Sequence, residues 1–156
     1  MRWVKIQKSR FPPRWLQVFI GCFCALPAWG ASERCMPDAS VNAKTQVVAI
    51  KTESMGALCY TVLLPPKGIT DGIEYHWLVL LHGLGAEPTE FLEKARLAEL
   101  LYAAMDGGDL PPLIVFMPDG RKGYWTDWVD GKHPWATVLM KDYLPDMRQR
   151  FPLKRE

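Results

Sequence analysis

The segment His76–Leu81 (H-W-L-V-L-L) is almost unbroken in apolar character and runs directly into His82-Gly83-Leu84-Gly85. A short continuous apolar run reads as a strand buried on both faces, because a half-exposed strand alternates instead. A second such run, Leu113–Met117 (L-I-V-F-M), ends as abruptly in Pro118-Asp119-Gly120. Between the two lies Pro88–Met105. There Phe91, Ala95, Ala98, Tyr102 and Met105 recur at helical spacing on one apolar face, and Gly107-Gly108 stop the helix.

The flanking segments extend this pattern. Gln46–Lys51 and Ala57–Leu64 read as strands joined through Glu53-Ser54-Met55-Gly56, a turn short enough to make the pair antiparallel. Residues 31–45 are polar and irregular, and Pro65-Pro66-Lys67-Gly68 ends the second strand. After Gly120 a loop rich in Gly and Trp runs to Pro134. A second helix follows over residues 136–151, with Met140, Leu144, Met147 and Phe151 on one face and a kink expected at Pro145. There is no internal repeat. The order β-β-β-α-β-α predicts an α/β sheet with an antiparallel hairpin at one edge and flanking helices.

Charge divides the chain in two. Of its 19 basic residues, five (Arg2, Lys5, Lys8, Arg10, Arg14) precede Ala31, leaving 14 against all 17 acidic residues in the remainder. The body is therefore slightly acidic, without the basic patch that nucleic-acid binding needs. The basic N-terminus precedes an apolar run from Trp15 to Leu26, then Pro27 and Ala28-Trp29-Gly30. These are the three parts of a secretory signal, so residues 1–30 read as a signal peptide cleaved before Ala31. Its core is too short for a stable membrane anchor. The expected location is the periplasm or the exterior. Cys22 and Cys24 would leave with the signal; Cys35 and Cys59 remain as a candidate disulfide in an oxidising compartment. With no C-x-x-C and no clustered histidines, a metal site is not expected.

The H-G-L-G turn carries the chemistry. Glycines allow sharp turns and close approach, and the carboxyl end of a parallel strand is where open α/β sheets hold ligands. A backbone N–H there can face a developing oxyanion. Six pieces stand in order: V-L-L-P-P (62–66), W-L-V-L-L-H-G-L-G (77–85), the helix from Pro88, I-V-F-M-P-D-G (114–120), G-Y-W-T-D-W (123–128) and D-Y-L-P-D-M-R-Q-R-F (142–151). Together they resemble the esterase D-like group of α/β-hydrolases, which includes S-formylglutathione hydrolases, feruloyl-esterase-type enzymes and mycolyltransferases. The resemblance covers residues 46–156 and implies strand order 1-2-4-3, with His76–Leu81 at an edge. It also implies acyl transfer from a small ester or thioester through a serine acyl-enzyme, with no cofactor. His82, Gly83, Leu84 and Gly85 would form the oxyanion loop, with the Leu84 N–H as one donor. Asp119, Tyr124, Trp125, Asp127 and Trp128 would lie near the mouth of the site.

One departure stands out. No G-x-S-x-G occurs in the 156 residues, so the pattern reads as the N-terminal part of a hydrolase domain that stops before its nucleophile elbow. Ser54 lacks the first elbow glycine and precedes a strand. His76 reads as structural, His82 as locally hydrogen-bonded, and His133 as a surface or pocket residue. Asp127 reads as a loop contact of Arg121 or Lys122. The expectation is an exported esterase relative without activity of its own. The alternative is a half-domain that binds a ligand or partner through its Trp-rich loop or exposed sheet edge. An unblunted apolar edge also predicts self-association.

Overall fold

A computed structural model describes residues 33–41 and 43–155. The signal-peptide reading, with its cleavage site, lies outside the described residues. Four strands form one sheet: β1 (Thr45–Thr52), β2 (Gly56–Leu63), β3 (His76–Val79) and β4 (Leu113–Pro118). Their order is β1-β2-β4-β3. β1 pairs antiparallel with β2 through a tight turn, β2 antiparallel with β4, and β3 parallel with β4.

β4 explains its own apolar run. Ile114 and Phe116 face one side of the sheet, and Val115 and Met117 the other. The first side packs on Trp135, Val138, Tyr143, Met147 and Phe151, and the second on Leu92 and Ala98. Covered on both faces by helices, the strand needs no polar alternation.

β3 does not share this environment. It is shorter than the apolar run, ending at Val79, and it lies at the end of the sheet with alternate residues exposed. Leu78 is 43% exposed and Leu81 40%. The reading of this run as a strand buried on both faces is thus corrected, while its place at an edge agrees. The edge is not wholly bare. Tyr75 pairs in parallel with Leu153, through Tyr75 N–H to the Pro152 carbonyl (2.8 Å) and Lys154 N–H to the Tyr75 carbonyl (2.9 Å).

The helix expected over 88–105 is two helices, α1 (Glu90–Glu93) and α2 (Leu97–Gly107). Arg96 breaks the run with a left-handed backbone (φ 49°). The break turns Ala95 to solvent and leaves Leu92 and Ala98 to make the buried contact. Gly108, at φ 81°, caps α2, as the glycine pair implied.

The last helical segment runs through α3 (Trp135–Val138), a π-helical turn (Leu139–Tyr143) and α4 (Leu144–Arg150). Pro145 is the cause. It has no N–H to donate and its ring clashes with the carbonyl four residues back. The widened turn before it accommodates the clash, with Leu144 N–H bonded to the Leu139 carbonyl. The expected kink is therefore a π-turn.

Candidate functional site

The parallel pair β3–β4 sends both of its carboxyl ends to the same side, with Val79 level with Phe116. His82 follows one strand and Asp119 the other. The His82 side chain is buried and joins the two exits. Its Nε2 accepts from Gly120 N–H (2.9 Å), so its Nδ1 carries the proton and donates to the Gly83 carbonyl (2.8 Å). These bonds assign the neutral Nδ1–H tautomer. They also fix the peptide that begins the glycine turn. The expected local contact is present, and the bond to Gly120 is an added long-range one.

Gly83, Leu84 and Gly85 are exposed, with Leu84 at 55%. Gly85 has φ 75°, a conformation glycine adopts without cost. Ala86 N–H closes the turn on the Gly83 carbonyl (3.2 Å). Among the described residues the Leu84 N–H has no hydrogen-bond partner.

Asp119 is fully buried rather than open to solvent. Arg34 reaches its two oxygens through Nε (3.1 Å) and a terminal nitrogen (3.2 Å), and Arg121 N–H donates to it at 2.9 Å. The hydrogen bond from Arg34 to this carboxylate raises the guanidinium above its ordinary range. The Tyr143 hydroxyl lies 2.8 Å from the Asp119 carbonyl and 3.0 Å from that of Cys59. Burial pushes that phenol well up from 10.0. Asp119 thus acts as a structural hub at the exit of β4.

A disulfide joins Cys35 to Cys59 on β2. The Cys35 carbonyl accepts the Thr61 hydroxyl. The residue just before this tether is Arg34. Nothing in the local pattern around Arg34 announces its role; its partner lies 85 positions away.

The tryptophan loop is built on close approaches. Trp125 has a left-handed backbone (φ 58°), unusual for a bulky residue. Its Nε1 donates to the His82 carbonyl (2.9 Å), and its ring meets His82 and Trp135 edge-on at 5.4 and 6.4 Å. Gly120 lies so close to this ring that a Cβ would sit 2.5 Å from it. Tyr124 points largely to solvent. Trp128 lines a separate cavity of about 480 Å³ with Met55, His133 and Trp135. Of the five residues expected near the mouth, Asp119 is a buried hub, Trp125 a wedge against His82, Asp127 a cap and Trp128 a cavity wall, and Tyr124 faces solvent.

Asp127 is the cap. It pairs with neither Arg121 nor Lys122; it accepts Thr137 N–H (2.9 Å) and the Thr137 hydroxyl (2.7 Å) at the start of α3. The Thr137 hydroxyl, then its N–H, hold the carboxyl below its usual 3.8. A depressed carboxyl contributes stability above its unfolded value and loses it as pH falls through the folded one. We therefore expect the loop to loosen below about pH 4, the ordinary carboxylate range. Tryptophan fluorescence should change there in the wild type and be flat in Asp127→Asn.

Scans against protein-family models and curated proteins return no match. Solved structures do match. A ferulic acid esterase superposes with TM-score 0.60 at 18% identity, over 72% of this chain and 46% of its own. A ferulic acid esterase from Anaeromyces mucronatus, in complex with ferulic acid, gives 0.61 at 15% identity, over 78% and 48%. An S-formylglutathione hydrolase from Agrobacterium tumefaciens gives 0.57 at 14%, over 76% and 48%. The fold is that of the α/β-hydrolases. This chain spans about half the length of these α/β-hydrolase structures. The H-G-L-G turn lies three residues beyond the carboxyl end of the parallel strand β3.

Proposed function

We propose that these residues form the oxyanion-holding part of an exported carboxylic-ester hydrolase domain that works through a serine acyl-enzyme. The observation that carries the reading is the backbone N–H of the exposed Leu84, which has no partner among the described residues in a turn that His82 and Trp125 hold in place. A donor already fixed in position needs no rearrangement as negative charge develops on a carbonyl oxygen. The ester-hydrolysing neighbours support the choice of reaction. The Cys35–Cys59 disulfide supports export, because such bonds persist in oxidising compartments.

The described residues do not assemble a nucleophile. Ser54 sits in the exposed β1–β2 turn. Both nitrogens of His82 are committed, His76 Nε2 faces Lys154 Nζ at 2.8 Å, and His133 Nδ1 faces Asp130 at 3.3 Å. No described serine hydroxyl is bonded to a histidine. The nucleophile, its acid and its histidine would come from a further segment.

The test has two arms. The 156-residue chain should show no labelling by a fluorophosphonate probe. Joined to the elbow-to-end segment of a ferulic acid esterase, it should label stoichiometrically and hydrolyse p-nitrophenyl acetate. In that fusion Leu84→Pro removes the donor and should lower kcat by about 10²–10³-fold. Labelling of the chain alone, or an unchanged kcat in Leu84→Pro, defeats the reading.

A further inference from the structure

The cavity of about 480 Å³ is lined by Met55 of the β1–β2 turn, by Trp128 and His133 of the tryptophan loop and by Trp135 at the start of α3. Its size falls within the roughly 300–1,000 Å³ of small-molecule sites. Its walls combine the indoles of Trp128 and Trp135 with the side chains of Arg34, Arg121 and Lys122, and among the described residues no carboxylate lines it.

The three cations are not equivalent. Arg34 is committed to Asp119 and lies 3.5 Å from Glu87. Among the described residues Arg121 donates its guanidinium only to a neutral acceptor, the Ala57 carbonyl (2.9 Å). Lys122 is exposed and has no partner among the described residues. Two positive charges at the cavity therefore lack a described carboxylate within ion-pair distance.

The aromatic wall is held in place. Trp128 remains 38% exposed, yet His133 packs on its ring at 4.4 Å and lies 3.3 Å from Asp130. Trp128 N–H also donates to the His133 carbonyl (3.1 Å), closing a small hairpin. An exposed indole fixed this way contributes little to the core and offers a flat apolar face.

These features select a ligand. A cation would meet Arg121 and Lys122. A neutral apolar molecule would cover both charges without replacing their water. An anion without a ring would leave the indoles unused. We propose that this cavity binds a small ring-bearing carboxylate, its flat face on Trp128 and its anionic group between Arg121 and Lys122. The site is independent of the ester chemistry proposed above and requires no nucleophile.

The experiment uses the chain as it stands and 2-naphthoate as probe, followed by indole fluorescence and calorimetry. Saturable binding is expected, with 2-naphthamide and acetate each at least about tenfold weaker, the scale of one lost charge-assisted hydrogen bond or ring contact. Lys122→Gln and Trp128→Ala should each weaken naphthoate about tenfold. Both alter exposed side chains, and an unchanged thermal transition will establish that the variants are folded. Lys132→Gln, in the same loop but outside the cavity, should leave binding as it is. Equal affinity for the amide, an unaffected Lys122→Gln, an equal loss in Lys132→Gln, or no saturation at millimolar naphthoate would each overturn the proposal.

Discussion

Reduction of the Cys35–Cys59 bond is expected to lower stability by about 3–4 kcal/mol, the loop-closure entropy of a loop of this length. The bond spans a sequence separation of 24 and anchors an otherwise irregular N-terminal segment on β2. Its loss should also weaken the grip of Arg34 on Asp119, because the neighbouring tether places that side chain. Removing Arg34 alone leaves a buried carboxylate with the Arg121 backbone N–H as its remaining described hydrogen-bond donor. Such losses cost roughly 3–5 kcal/mol when both partners are buried, and less here because Arg34 is partly exposed. The two effects share one structure, so Cys35→Ser and Arg34→Ala should not add. Urea unfolding of the single and double variants, with and without reductant, measures both terms. A reduced protein as stable as the oxidised one would show that the segment is held by its other contacts alone.

Gly123→Ala should cost about 1–3 kcal/mol, the usual penalty for forcing extra volume into a packed site. A Cβ at this position would lie 2.4 Å from the indole of Trp135, which is buried in the core and has nowhere to retreat. Gly131→Ala is the control. Its Cβ would meet nothing within 4 Å, but its backbone is left-handed at φ 66°. It should lose only about 1–2 kcal/mol from that backbone preference. Shrinking the obstacle, with Trp135→Phe added to Gly123→Ala, should recover part of the loss relative to the two single changes. Thermal unfolding of the four proteins decides. Equal destabilisation at Gly123 and Gly131 would remove the steric explanation.

What the sequence disclosed follows from the range of each interaction. The strands were legible because β4 is apolar on both faces and the β1–β2 pair has a short turn, while their order followed only from the resemblance to the α/β-hydrolases. The cysteine pairing was legible because Cys35 and Cys59 are the two cysteines that follow residue 30. The break at Arg96 was not, because the periodicity from Phe91 to Met105 continues across it and arginine gives no sign of a left-handed backbone. Arg34 was missed because its carboxylate partner is remote in sequence. Trp135 and Met55 were also missed as cavity residues. Gly120 and Gly123, spaced among the tryptophans, held a usable signal: glycines beside bulky rings often mark a close approach.

The strand order has a consequence for synthesis. β4 lies between β2 and β3, both of which precede it. On a ribosome the β1–β2 hairpin can close as soon as it emerges. β3 has no neighbour in this sheet until translation has passed from Val79 to Pro118, a delay on the order of seconds at ordinary elongation rates. For that interval Trp77, Leu78, Val79 and the leucines after them are unpaired and apolar. The nascent chain therefore offers a chaperone its clearest binding segment at the place where the finished domain offers its glycine turn.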